Sequence, residues 1–126
     1  MKKLITLLAS AFVAISAQAG EFPDISIAEL KKAIAEKKVT VLDVNGSDSF
    51  KKGHIPTAID FRANKDQIAG MLPSDKSALV VAYCGGPTCG AYAAAAKKAT
   101  ALGYTNVKHL SAGISGWLQA NEPTEK

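Results

Sequence analysis

Hydrophobic positions along the chain follow three different spacings. An unbroken apolar stretch runs from Leu4 to about Ile15. Between Ser26 and Lys37, Ile27, Leu30, Ala33 and Ile34 return at helical spacing, which predicts an amphipathic helix. Ser26 and Glu29 give that helix the Ser-x-x-Glu order of a capping box. Two brief runs, VTVLDV at 39–44 and ALVVAY at 78–83, are rich in β-branched residues and predict strands. The second lacks alternation, as expected of a strand covered on both faces.

The remaining segments fill the gaps between these runs. Residues 47–52 suit a short helix stopped by Gly53, and 58–61 a second brief strand. An alanine-rich helix is predicted over 91–102, closed by Gly103. Residues 107–110 then read as a last strand and 112–120 as a last helix around Trp117. Strands alternating with helices predict an α/β fold, a parallel sheet with helices on both faces. Such a sheet gathers the C-terminal ends of its strands on one edge, where ligands usually bind. Here that edge receives Asp43 to Asn45, Arg62, Cys84 to Gly90, and Ser111 to Gly113.

Charge changes the reading of the N-terminus. Lys2 and Lys3 precede the first apolar stretch, and Ala17 and Ala19 follow it. That is the order of a secretory signal peptide over residues 1–19, cut after Ala19, and it predicts a periplasmic or secreted protein. The stretch is short of the ~20 residues of a spanning helix, so no membrane attachment is expected after cleavage. The mature chain, residues 20–126, is long enough for one domain. Of fifteen basic residues two belong to the leader, leaving thirteen against eleven acidic ones, near neutrality. No basic block with interleaved aromatics remains, which argues against nucleic acid as a partner.

Two cysteines, Cys84 and Cys89, lie in CGGPTCG, between a buried strand and a helix start. Three glycines in so short a span lose much conformational entropy unless the backbone needs them. One such need is a loop whose N–H groups turn inward around the Cys84 sulfur. Gly85, Gly86, Pro87, Thr88, Cys89 and Gly90 would then form an anion cradle that stabilises a thiolate or a terminal persulfide. The alternative is an inert core cysteine, which prefers apolar surroundings and needs no such loop.

VLDV at 41–44, SFKKGHIPTAIDF at 49–61, VVAYC at 80–84 and LSAGISGW at 110–117 together give the chain its resemblance to a single-domain rhodanese-like, or thiosulfate sulfurtransferase-like, protein. The resemblance covers roughly residues 25–120. It implies a central parallel five-stranded sheet with helices on both faces, and Cys84 as the nucleophile. It also implies two-step covalent catalysis: a sulfane sulfur is taken as a Cys84 persulfide and passed to an acceptor. The partners implied are a small sulfur-containing anion and a thiol acceptor, with a protein thiol as a further candidate. No cofactor is implied.

The chain departs from the family pattern where it bears on substrate. Asn45 stands where many relatives have arginine, and the 84–90 loop holds no Lys or Arg. Arg62, the sole arginine, follows a predicted strand and becomes a candidate for substrate binding, together with Asp43 and Asn45. A Cys-x5-Arg phosphatase is excluded, because the sixth residue after Cys84 is Gly90.

Cys89 has three readings: a redox partner that resolves Cys84, a disulfide that locks it, or a packing residue. His54 and His109 are expected to be structural, with His54 away from the reactive edge. Together with the cysteines they match no zinc spacing, so no metal is expected. Tyr83, Tyr92 and Trp117 are expected to pack. A thiol–disulfide oxidoreductase and a non-catalytic binding or redox-sensing module remain as rival functions.

Overall fold

The two apolar runs form the centre of a four-stranded parallel sheet in the computed structural model, which describes residues 22–126. The leader read from residues 1–19 lies outside the described residues. Strand β1 (Val39–Asp43) and β3 (Leu79–Tyr83) pair along their whole length, from Val39 opposite Leu79 to Asp43 opposite Tyr83. β2 (Ile59–Asp60) flanks β1 and β4 (Asn106–His109) flanks β3, giving the order β2-β1-β3-β4. The helices are α1 (Ile27–Ala35), α2 (Ser47–Lys52), α3 (Phe61–Asn64), α4 (Tyr92–Ala101) and α5 (Gly113–Gln119), with a 3₁₀ turn at Ile68–Gly70.

Period-two alternation divides the core between the two faces. Val80, Ala82 and Cys84 pack with Leu42, Val44 and Phe61 against Ala95, Ala96 and Ala99 of α4. Val81 and Tyr83 pack with Val41 against Leu30 of α1 and Trp117 of α5. Consecutive residues at the end of β3 therefore serve opposite faces. The capping box of α1 forms as predicted: Glu29 N–H donates to Ser26 Oγ at 3.0 Å and Ser26 N–H to Glu29 Oε1 at 3.1 Å.

Two expectations are corrected. The fifth strand is reduced to one parallel bridge between Asp24 and His109. There His109 N–H donates to the Pro23 carbonyl and Ile25 N–H to the His109 carbonyl, at 2.8 and 2.9 Å. Pro23 has no N–H to continue the ladder, and Ser26 already caps α1, so the segment cannot lengthen in either direction. The second predicted strand keeps only Ile59 and Asp60, because the Asp60 carboxylate accepts the Ala63 N–H and starts α3.

The C-terminal tail takes a part that its sequence did not suggest. Trp117 Nε1 donates to the Pro123 carbonyl at 2.7 Å, and His54 and Glu125 exchange backbone hydrogen bonds of 2.9 Å. His54 also stacks on Phe50, with ring centroids 3.6 Å apart, and its Nδ1 lies 2.8 Å from the Phe50 carbonyl. Its role is structural, as expected.

Candidate active site

Cys84 follows β3 directly, at the C-terminal edge of the sheet, and is 1% exposed. Its sulfur is joined to Cys89 in a disulfide, with the two α-carbons 6.3 Å apart. Of the three readings of Cys89, the bond excludes simple packing and is compatible with both a redox partner and a lock. A turn from Gly86 to Cys89 makes the closure possible: Cys89 N–H donates to the Gly86 carbonyl at 3.0 Å. Pro87 occupies the second position of that turn, where its fixed φ is favoured.

The first turn of α5 orients the start of this loop. Ile114 N–H donates to the Cys84 carbonyl and Ser115 N–H to the Gly85 carbonyl, both at 2.9 Å. In a trans peptide the N–H points opposite to the carbonyl, and no peptide bond among the described residues is cis. The N–H groups of Gly85 and Gly86 are therefore turned away from α5, side by side. They are the part of the expected cradle that this geometry supports. Pro87 offers no donor, and the Cys89 N–H is taken by the turn.

The glycine that the edge requires is on the opposite loop. Gly113 has φ +63°, and a Cβ there would stand 2.6 Å from backbone atoms of both Gly85 and Gly86. Gly85, Gly86 and Gly90 instead adopt ordinary φ, with no atom closer than 3.8 Å to a built Cβ. In the disulfide-closed loop no close approach requires these three positions to be glycine.

Asp43, a candidate substrate ligand, is corrected to a buried structural carboxylate. It is 1% exposed, accepts the Tyr83 hydroxyl at 2.5 Å, and accepts the Asn45 N–H at 2.8 Å. Burial raises its pKa above the usual carboxylate value, against the opposing pull of the Tyr83 and Asn45 hydrogen bonds. Burial and the Asp43 carboxylate push the Tyr83 hydroxyl strongly upward, so it stays a neutral donor. The Tyr83 oxygen in turn accepts the Ile55 N–H at 3.1 Å. Tyr83 thus packs, as expected, but also closes a polar network that sequence reasoning missed.

Asn45 and Arg62 share an open groove of about 440 Å³ with Gly46, Ser47 and Asp48. Asn45 Oδ1 comes within 4.0 Å of the position of a Cβ on Gly85, so the groove reaches the thiol loop. Arg62 is exposed on α3 and passes 3.9 Å from a Cβ position on Gly46. Asp60, not singled out from the sequence, holds this wall together: Ser47 Oγ donates to its Oδ2 at 2.6 Å while its Oδ1 caps α3. An aspartate between a strand and a helix, three residues before Ala63, was the available signal.

A second cleft, of about 540 Å³, includes Cys89 in its wall. Its walls include Phe22, Asp24, Thr88, Cys89, Tyr92 and His109. Tyr92 and His109 stack with centroids 3.4 Å apart, and Phe22 meets Tyr92 edge-on at 6.3 Å. Both residues pack, as expected, yet they also form the side of a cleft that touches Cys89. No group of three or more His, Cys, Asp or Glu among the described residues is placed to hold a metal ion.

A family profile described as Rhodanese-like domain matches residues 26–120. The chain belongs to the rhodanese-like family. This rhodanese-like chain is 30% identical over 103 residues to the thiosulfate sulfurtransferase GlpE of Shewanella oneidensis, covering 79% of this chain and 96% of that protein. Among solved structures, the BH2092 protein of Bacillus halodurans matches with 30% identity and a TM-score of 0.59, over 82% of this chain and 76% of that one. A human single-domain sulfurtransferase shares the fold at 21% identity and a TM-score of 0.60, over 77% of this chain and 96% of that one.

Proposed function

We propose that this rhodanese-like protein is an exported sulfurtransferase that carries a sulfane sulfur as a persulfide on Cys84. Its membership of the family and its likeness to a thiosulfate sulfurtransferase support that reaction class. The observation that carries the assignment to Cys84 is its position. It directly follows strand β3 at the sheet edge, next to two N–H groups, of Gly85 and Gly86, that α5 turns away from itself.

The disulfide opens before turnover. The Cys84 thiolate then attacks the outer sulfur of a donor such as thiosulfate, the S–S bond of the donor breaks, and sulfite leaves with the bonding pair. The new terminal sulfur is an anion, which the Gly85 and Gly86 N–H groups stabilise. An acceptor thiolate attacks that sulfur, takes it, and returns Cys84 as a thiolate. Asn45 and Arg62 line the approach of the anionic donor. Cys89 is the redox partner, and the leader of residues 1–19 takes the protein out of the cytoplasm to an oxidising compartment, where disulfides persist.

The test is intact mass spectrometry of residues 20–126 after reduction and incubation with thiosulfate. A gain of one sulfur, lost in Cys84→Ser, is the expected result; no gain in the reduced protein overturns the reading. The disulfide itself favours a second reading, a thiol–disulfide oxidoreductase. That protein would pass its disulfide to a reduced substrate and take up no sulfur. Export is checked separately, by finding Gly20 as the N-terminal residue in a periplasmic fraction.

A further inference from the structure

We propose that the Cys84–Cys89 disulfide is opened from the Cys89 side, by a dithiol that enters the cleft beside the Tyr92–His109 stack. The two sulfurs are not equivalent. Cys84 is 1% exposed and packs in the core with Leu42, Val44 and Ala82, whereas Cys89 is half-buried and forms part of the cleft wall. Thiol–disulfide exchange requires the attacking sulfur to reach one sulfur with the other leaving in line behind it. Access through the cleft selects Cys89 for attack and Cys84 for departure. The N–H groups of Gly85 and Gly86 favour the same direction, since the leaving thiolate is the anion they can stabilise. The Asp24 carboxylate on the far wall, which accepts the Ser111 N–H at 2.8 Å, makes the cleft a poor path for a dianionic sulfur donor. A thiolate carries one charge rather than two and meets a smaller barrier.

The electron balance identifies the reductant as a dithiol. The incoming thiolate forms a bond to the Cys89 sulfur, the Cys84–Cys89 bond breaks, and Cys84 leaves with the electron pair. Cys84 remains beside the mixed disulfide, and at that proximity it re-forms the original bond and expels a monothiol. A second thiol on the same reductant prevents this. It attacks its own partner sulfur, leaves as an oxidised disulfide, and releases Cys89 as a thiol. The two electrons thus come from the dithiol, and both cysteines end reduced. The functional meaning of this opening rests on Cys84 being the sulfur carrier, because it delivers the thiolate at the residue that takes sulfur.

The direction of attack is read from the site of the first adduct. Oxidised protein is mixed with 2-mercaptoethanol, quenched at short times with iodoacetamide, digested, and mapped by mass spectrometry. The mercaptoethanol adduct is expected on Cys89 and the carbamidomethyl group on Cys84. An adduct first on Cys84, or equally on both, overturns the proposal. Opening by dithiothreitol gives the second measurement. Ala93 also lines the cleft, so Ala93→Trp puts an indole into it and is expected to slow opening by at least about tenfold. Circular dichroism establishes that this variant is folded; an unchanged rate in a folded variant overturns the proposal, and the adduct map on the unaltered protein stands whether or not the variant folds. Sulfur uptake by the reduced protein is measured apart. Adducts on Cys89 with no uptake refute the transferase, and uptake with adducts on Cys84 refutes only this route.

Discussion

Tyr83 and Cys84 are neighbours in sequence, yet they end in contrasting pairs. Tyr83 points to the α1 and α5 face and binds Asp43, and the pair is dry, each side chain partnered by hydrogen bonds. Cys84 points to the α4 face and is joined to Cys89, whose side of the bond meets a cleft. Strand alternation makes this division possible, because successive residues leave on opposite faces. One face of the strand end anchors the edge of the sheet, and the other presents a bond that can open. If the two sides are independent, opening the disulfide leaves the Asp43–Tyr83 network intact, and loss of that network costs stability without removing the reactivity of Cys84.

Substitutions on the anchoring side should have the largest effect. Gly113→Ala introduces a Cβ where backbone atoms of Gly85 and Gly86 stand 2.6 Å away, at a φ that disfavours side chains. Neither neighbour is the flexible end of a side chain, so the loop must move. Strain and overpacking together give a loss of about 3 kcal/mol in urea unfolding, with sulfur uptake lost as well. A midpoint equal to that of the unaltered protein would show that the two loops are not locked together. Tyr83→Phe keeps the ring and removes the hydroxyl, leaving Asp43 Oδ2 without its donor and Ile55 N–H without its acceptor, while Asn45 N–H still binds Oδ1. The expected cost is about 2 kcal/mol. Sulfur uptake by the remaining folded protein should survive if the comparison is sound.

On the side that opens, the effects shift from stability to reactivity. Cys89→Ser removes a short cross-link worth about 2 kcal/mol to the oxidised protein. The reduced forms of both proteins should then unfold alike. The distinguishing result is that Cys89→Ser takes sulfur from thiosulfate without prior reduction, while the unaltered oxidised protein takes none. A smaller, pH-dependent difference separates the sides again. The pKa of Asp43 is raised on folding, so its contribution is complete below the unfolded value and falls as pH rises through the folded one. Asp43→Asn should remove that decline, and urea midpoints from about pH 4 to about pH 8 should slope less than those of the unaltered protein. A parallel slope would mean that Asp43 carries no unfavourable charge.

Local patterns made most of the scaffold legible. VTVLDV and ALVVAY gave the paired central strands, and Ser26 with Glu29 gave the cap of α1. The strand–loop–helix order put Cys84 on the correct edge. What stayed hidden depends on pairs far apart in the chain. Nothing local says that Asp43 will face Tyr83 across two strands, and a lone aspartate in a loop edge reads equally well as a ligand. The glycine signal led to the correct region without revealing where a side chain is sterically forbidden. Gly85 and Gly86 attracted notice by clustering, while the necessity falls on Gly113, which meets them from a loop 27 residues away from the nearer one. The fifth strand failed for a local reason that was readable, a proline and a helix cap on either side of Asp24.

Arg62 gives the finest cut between the two regions, because it stands outside both pairs. It is exposed, and among the described residues it forms no salt bridge. Arg62→Ala should therefore change stability by less than about 0.5 kcal/mol. If the groove it shares with Asn45 receives the anionic donor, the KM for thiosulfate rises a few-fold while kcat holds, because a distant cation aids binding more than sulfur transfer. High salt should erase the difference between the two proteins, since an exposed charge is screened over about 8 Å at physiological ionic strength and over less at higher. An uncharged donor should not distinguish them at all. A fall in kcat with KM unchanged would instead place the guanidinium at the transferring sulfur, and the opening side would then extend across the sheet edge to α3.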